Sequence, residues 1–170
     1  METVLPADIA QMAARVVAEN KAIGRTVAVA ESCTGGLVTA AITEVPGSSA
    51  ILGSGYVTYS NEAKMTMLGV NEDIIDTFGA VSVAVAWAMA QGALQKSGAD
   101  IAVAISGVAG PDGGTANKPV GTVVFAVALK GQNPEDVVGD KKAFGEDKSR
   151  ADIRAFATLY ALELLLPPAP

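Results

Sequence analysis

The sequence VAVAESCTGGLVTAAI, residues 27–42, decides the fold. A short apolar run without a polar face is followed by a turn of small residues, two glycines and a series of helix formers. Strands with no polar face are typical of sheets that helices cover on both sides. The sequence therefore predicts a buried strand, a turn and a helix. The turn lies at the carboxyl end of the strand, where α/β folds collect ligands.

Strand and helix patterns alternate along the rest of the chain. Apolar spacing and end signals predict helices over about 7–23, 35–43, 61–68 (capped by Asn61), 72–78, 83–97 (capped by Ser82) and 149–166. Buried or β-rich runs predict strands at 26–30, 54–60, 100–106, 120–129 and 136–145, the last at a sheet edge. The last two strands have no helix between them, which predicts a hairpin. The fold class is therefore α/β: a single three-layer α/β/α domain over residues 1–170, with a mixed, mostly parallel sheet of about five strands.

Composition and charge narrow the classes of function. The net charge of -6 over 170 residues argues against a large contact with nucleic acid. One cysteine and no histidine exclude an internal disulfide and argue against a zinc or haem centre, so we expect neither a metal nor a cofactor. The uncharged stretch 77–95 relies on alanine and is a poor membrane span, and the N-terminus is not a secretory signal. We expect a cytoplasmic protein without membrane contact.

The turn after the first strand carries the first candidate site. Gly35 and Gly36 leave the first amides of the following helix unshielded, and such amides bind an anion or a developing oxyanion. Ser32 and Thr34 flank them with hydroxyls. An ordinary capped helix start would explain one hydroxyl, but it would not explain the whole group. Neither the Walker lysine spacing nor the GxGxxG spacing is present.

A serine nucleophile in this turn needs a base, and the chain has no histidine. Lysine serves instead in serine–lysine enzymes. The candidate is Lys64, in the first turn of a predicted helix, where the helix dipole disfavours a positive charge and lowers the pKa. Tyr59 adds a phenol that could relay a proton. The alternative for Lys64 is a solvated residue on an amphipathic helix.

Two further features could complete a pocket. The loop that begins with Ser106 and contains Gly107 and Gly110 follows a buried strand, although it could equally be a long surface loop. Arg150 and Arg154 lie on one helical face and suit a phosphate or carboxylate, or a solvated surface. They are separated by one helical turn.

Two residues of the turn itself have structural alternatives. Glu31 could orient a neighbour or a ribose hydroxyl, and it could equally be structural. Cys33 is predicted to point into the core, since buried cysteines are common.

With these elements in order, the chain resembles the C-terminal domain family of the competence-damage protein CinA, which includes stand-alone nicotinamide-nucleotide amidases. The resemblance covers roughly residues 6–166. It has two departures: Ser106 stands where the family more often has threonine, and FGEDKSR (144–150) differs from the usual Gly-Asp-Arg run. The matching stretches are AESCTGGLV (30–38), VPGSSAILGSGYVTYSNEAK (45–64), GAVS (79–82), AISGVAGPDGG (104–114), KPVGTV (118–123) and RADIR (150–154).

The resemblance implies deamidation of nicotinamide mononucleotide to nicotinate mononucleotide and ammonia. It implies Ser32 as nucleophile and Lys64 as base, with Tyr59 assisting. The amides of residues 34–36 would face the oxyanion or the phosphate. Ser106 and its loop would complete the pocket, and Arg150 would meet the anionic end of the nucleotide.

Other functions stay open at this point. The same scaffold could hydrolyse a different amide or nucleotide, because a fold does not determine its substrate. It could also be a nucleotide-binding or regulatory module without catalysis. The alanine-rich helix could be core or interface, so a homo-oligomer is possible.

Overall fold

Five strands form one mixed sheet in the computed structural model, which describes residues 3–168. In chain order the strands are β1 (Val27–Glu31), β2 (Leu52–Val57), β3 (Ile101–Gly107), β4 (Thr122–Leu129) and β5 (Val138–Ala143). Their order across the sheet is β2-β1-β3-β4-β5. Strands β2, β1 and β3 pair in parallel, whereas β3–β4 and β4–β5 are antiparallel. Four of the five strands therefore point the same way, and the predicted mixed sheet and terminal hairpin are confirmed.

Within the described residues, six α-helices cover the two faces of the sheet. They are α1 (Ala7–Ala22), α2 (Leu37–Glu44), α3 (Asn61–Leu68), α4 (Glu72–Phe78), α5 (Val83–Ser97) and α6 (Arg150–Leu164). Helices α1, α2 and α6 pack on one face, and α3, α4 and α5 pack on the other, with one apolar cluster under each group of three. The three predicted layers are thus confirmed.

Several element ends differ from the sequence-based prediction for local reasons. Helix α2 begins two residues late because Gly35 and Gly36 have left-handed φ values of 62° and 98°, which a helix does not accept. Strand β2 begins and ends earlier than predicted. Asn61 is not the cap of α3: the hydroxyl of Ser60 accepts the amide of Ala63 at 3.0 Å. Asn61 is instead the first residue of the helix.

The alanine-rich helix α5 belongs to the core. Its alanine side chains let it lie close to the sheet, and it contacts β1, β3 and β4. Helix α5 contacts the end of α3 at Gly92. A Cβ on Gly92 would collide with the backbone carbonyl oxygen of Leu68, the last residue of α3. Gly92 thereby permits the close approach of the end of α3 to α5. None of the helices between residues 3 and 168 is long and apolar enough to cross a membrane.

A capping box starts α6 beside the sheet end. Ser149 accepts the amide of Asp152 at 3.1 Å, and the carboxylate of Asp152 accepts the amide of Ser149 at 3.2 Å. Reciprocal bonds of this kind define the first turn of a helix. They make Arg150 the first helical residue and put Arg154 one turn further along the same face.

Candidate active site

A pocket of about 190 Å³ lies where three parallel strands end. Ser32 directly follows β1, Tyr59 follows β2, and Ser106 and Gly107 end β3. The sheet topology therefore brings together residues that are far apart in the sequence, at the sheet edge where α/β proteins bind ligands. The lining residues are Ser32, Cys33, Tyr59, Asn61, Lys64, Ala80, Val81, Ser106, Gly107, Ala109 and Arg150.

A serine and a lysine meet at the floor of this pocket. The Nζ atom of Lys64 is 3.2 Å from Oγ of Ser32. Lys64 is only 1% exposed, an unusual burial for a lysine. Removal of the ammonium from water lowers the pKa of Lys64 below its ordinary value, and this effect outweighs the opposing one of the nearby Cys33. The amphipathic, solvated alternative for Lys64 is therefore wrong.

The surroundings of Nζ can accommodate a neutral amine. Lys64 Nζ is 3.0 Å from the carbonyl oxygen of Thr58 and 3.5 Å from that of Tyr59. A neutral amine has two N–H groups and one lone pair. When the two carbonyls accept the N–H groups, the lone pair is left for the hydroxyl proton of Ser32. The arrangement can therefore take a proton from the serine as it attacks.

The N-terminus of α2 is occupied by a carboxylate of the protein itself. Glu31 is fully buried at the end of β1. It accepts the amides of Gly36 at 3.0 Å, Val38 at 3.1 Å and Thr39 at 2.9 Å. The Thr39 hydroxyl donates a fourth bond at 2.7 Å. Free amides and the helix dipole favour a negative group at this position, and Glu31 supplies it.

The expectation that the backbone amides of residues 34–36 face the substrate is wrong for Gly35 and Gly36, and it stays a prediction for Thr34. The Gly36 amide binds Glu31, and the Gly35 amide donates to the carbonyl of Ser32 at 3.0 Å. Glu31 does not line the pocket, so its structural role replaces the suggested contact with a ribose hydroxyl. The two glycines are required by the left-handed backbone of the turn rather than by a ligand.

Arg154 holds the same turn from the other side. Its Nε donates to the carbonyl of Cys33 at 3.1 Å, and its Nη2 donates to that of Thr34 at 3.0 Å. A Cβ at residue 35 would lie 3.4 Å from this guanidinium, an ordinary contact distance, so the left-handed φ rather than this contact favours glycine there. Of the two arginines on this face of α6, Arg154 is thus the structural one.

Thr34 and Cys33 flank Ser32 but make different contacts. Thr34 is fully buried, its hydroxyl has no hydrogen-bond partner within residues 3–168, and it does not line the pocket. The predicted contact of that hydroxyl with substrate therefore lacks geometric support. Cys33 is 5% exposed and packs in the core, as predicted. Burial raises the pKa of its thiol to about 11, which keeps it protonated at neutral pH.

The mouth of the pocket is built from exposed polar side chains. Arg150 donates to the carbonyl of Gly110 at 2.7 Å and to the hydroxyl of Tyr59 at 3.1 Å. Tyr59 is 62% exposed. Its contact with Lys64 is made by the backbone carbonyl, whereas the phenol contacts Arg150, so the geometry does not support the predicted proton relay.

The glycine loop after β3 shapes the pocket by packing. The Ser106 hydroxyl donates to the carbonyl of Ala80 at 2.8 Å and ties the Ala80–Val81 wall to the sheet. A Cβ on Gly107 would lie 3.1 Å from the sulfur of Cys33, and one on Gly110 would lie 2.6 Å from the side chain of Val120. These glycines therefore permit close packing, and Gly110 contributes its carbonyl to Arg150.

Sequence reasoning missed some of the pocket. Ala80, Val81 and Ala109 have apolar side chains without a reactive group, so nothing in the sequence indicated that they line a pocket. Asn61 was interpreted as a helix cap, although its spacing of three residues from Lys64 places both on one helical face. Residues 3–168 bring together no group of three or more His, Cys, Asp or Glu side chains that could hold a metal ion.

The fold and the pocket define an α/β/α domain with a buried serine–lysine pair at the carboxyl ends of its parallel strands. Residues 9–167 match the model of the CinA C-terminal domain, and the chain belongs to this family. The crystal structure of the competence/damage inducible protein CihA from Agrobacterium tumefaciens superposes with a TM-score of 0.91. It has 44% identity, covering 96% of this chain and 97% of that one.

Relatives of two lengths share this domain. The nicotinamide-nucleotide amidohydrolase PncC of Escherichia coli (strain K12) is 48% identical over 159 residues, which cover 93% of each chain. A putative competence-damage inducible protein of Symbiobacterium thermophilum is 61% identical over 122 residues, but these are 28% of that protein. Against such longer curated relatives, the chain spans about a third of their length or less.

Proposed function

We propose that the protein hydrolyses the carboxamide of nicotinamide mononucleotide to nicotinate mononucleotide and ammonia. The observation that carries the proposal is the buried contact of 3.2 Å between Lys64 Nζ and Ser32 Oγ. The relatives of matching length named nicotinamide-nucleotide amidohydrolase support the choice of substrate. A phosphorylated nucleotide substrate also agrees with the cytoplasmic location expected from the sequence.

The first step is the attack of Ser32 on the amide. The Oγ–C bond forms, the carbonyl π bond opens to an oxyanion, and the hydroxyl proton moves to the neutral amine of Lys64. Burial favours that neutral amine before the reaction. The contacts with the carbonyls of Thr58 and Tyr59 then stabilise the ammonium that forms.

The second and third steps reverse the proton transfer. The C–N bond breaks, the nitrogen takes its electron pair and the proton held by Lys64, and ammonia leaves. Water then attacks the resulting ester on Ser32 with Lys64 again as the base. The C–Oγ bond breaks, the serine hydroxyl is restored, and the carboxylate product leaves. One water is consumed for each ammonia released.

Arg150 is the residue proposed to hold the phosphate. The start of α2 is filled by Glu31, and Arg154 binds two backbone carbonyls and does not line the pocket, so Arg150 is the arginine placed to meet an anion there. Arg150 lies at the mouth with an exposed side chain, and its partners are a neutral carbonyl and a phenol. A phosphate makes stronger charge-assisted bonds than either of these.

The direct test is incubation of the purified protein with nicotinamide mononucleotide. We expect ammonia and nicotinate mononucleotide in equal amounts, with turnover that survives chelation of metals. A panel of other amides identifies a different substrate if this nucleotide is inert. Thermal stabilisation by the nucleotide without any turnover would contradict the proposal and support a binding module.

A further inference from the structure

Asn61 is a polar pocket residue that the mechanism above does not use. It lines the same pocket as Ser32 and Lys64. The cap of α3 is Ser60, so the side chain of Asn61 is not needed for helix capping. Within the described residues 3–168, no hydrogen bond involves this side chain, although Tyr59 and Arg150 beside it are both engaged. Its amide is therefore free to bind a ligand.

The position of Asn61 relative to Lys64 indicates which part of the substrate it meets. Residues three apart on a helix lie on one face, about 5–6 Å apart. Lys64 is at the buried floor, where the carboxamide reacts, whereas Asn61 is exposed one helical turn closer to the mouth. Arg150 is at the mouth itself. Asn61 thus lies between the group that reacts and the group that holds the phosphate.

We propose that Asn61 binds the ribose hydroxyls of the nucleotide and is a specificity-determining residue. The inference rests on the proposed function, because the order carboxamide, pyridine ring, ribose and phosphate is matched to the order floor, Asn61 and mouth. An asparagine amide both donates and accepts hydrogen bonds, as a vicinal diol does. It carries no charge, so it suits hydroxyls better than a phosphate.

A cycle of variant and substrate tests this contact. We expect Asn61→Ala to lower kcat/KM for nicotinamide mononucleotide by about three- to tenfold, the effect of one neutral hydrogen bond. The 2′,3′-dideoxy analogue lacks the hydroxyls, so Asn61→Ala should change its kcat/KM less than twofold. Glu62→Ala is the matched control, since Glu62 is the next exposed residue of α3 and does not line the pocket.

The same cycle is measured by calorimetric binding in the Ser32→Ala background, where turnover is not needed. The inference is supported if Ser32→Ala binds nicotinamide mononucleotide more tightly than the dideoxy analogue and if adding Asn61→Ala abolishes this preference. This result would support the inference even if the wild type released no ammonia and the proposed function failed. If Asn61→Ala weakens the binding of both nucleotides equally, or of neither, the inference is overturned. Ammonia release by the wild type would still leave the proposed function intact.

Discussion

The turn at residues 32–36 and the mouth of the pocket use their hydrogen-bonding groups in opposite ways. In the turn, Glu31 binds the Gly36 amide that sequence reasoning assigned to a ligand, and Arg154 binds the carbonyls of Cys33 and Thr34. At the mouth, Arg150 has only neutral partners and Asn61 has no side-chain bond within residues 3–168. The turn is therefore rigid before substrate arrives, and the mouth is available to recognise it.

This difference separates the chemistry from the recognition. A nucleophile acts best when its surroundings are already arranged for the transition state, because no reorganisation is then needed during the reaction. Recognition needs side chains that can exchange a weak partner for a stronger one. We therefore expect substitutions that affect the turn to change kcat, and substitutions at the mouth to change KM.

The largest expected effect comes from the pair at the floor. Ser32→Ala and Lys64→Ala should each lower kcat at least about a thousandfold, since general-base assistance alone supplies roughly 10²–10⁴. The double variant should be barely slower than either single one, because the two residues act as a unit. Steady-state ammonia release measures this, with circular dichroism to check folding. Losses that simply multiply would contradict the pairing.

The pH profile of kcat tests the protonation state of Lys64. Below its pKa the amine is protonated and accepts no proton from Ser32, so the rate should fall about tenfold per pH unit. Burial lowers this pKa, so the rise in rate with pH should be centred below 10.5, the ordinary value. Lys64→Arg, which stays charged, should be inactive at every pH. A flat profile would remove lysine as the base.

Arg154→Ala tests the rigidity of the turn. Loss of the bonds to the carbonyls of Cys33 and Thr34 should displace the nucleophile, and a shift of about 1 Å can cost a hundredfold. We expect kcat to fall by about ten- to a hundredfold with little change in KM. Arg15→Ala, which removes a surface partner of Glu19, is the control. A change confined to KM would show that Arg154 contributes to substrate binding rather than to the position of the nucleophile.

Arg150→Ala tests the mouth. Loss of a charge-assisted bond to the phosphate should raise KM for the mononucleotide by about tenfold, with kcat nearly unchanged. Nicotinamide riboside has no phosphate, so any turnover of it should be unaffected. Kinetics with both substrates make the comparison. Equal losses for the two would show that Arg150 acts on the pocket rather than on the anion.

Cys33→Ala should have the smallest effect. The thiol lines the pocket but is buried in the core with a pKa of about 11, so it stays protonated at neutral pH and kcat should stay within about twofold. Iodoacetamide at neutral pH should label the chain only after denaturation, as mass spectrometry can establish. Rapid labelling of the native protein with loss of turnover would make Cys33 the nucleophile.

Part of the site could be predicted because its chemistry shows in residue types. Without a histidine, a serine at a strand end needs another base, and Lys64 follows the next strand along the chain. Glu31 could not be assigned in this way, because whether a carboxylate faces a ligand or its own helix depends on the direction of the side chain. Asn61 was predicted as the cap of α3, and only the backbone shows that the neighbouring Ser60 fills that position.

The sequence by itself determined the order and type of the elements, since apolar spacing and glycine positions are local properties of the chain. It also determined which residues could react. Only the tertiary structure decided the partners of these residues. The guanidinium of Arg154 contacts carbonyls that lie 120 and 121 positions earlier in the chain, and Lys64 contacts Ser32, which lies 32 positions earlier. Such contacts depend on how strands and helices pack, and local patterns carry no information about side-chain direction at that range.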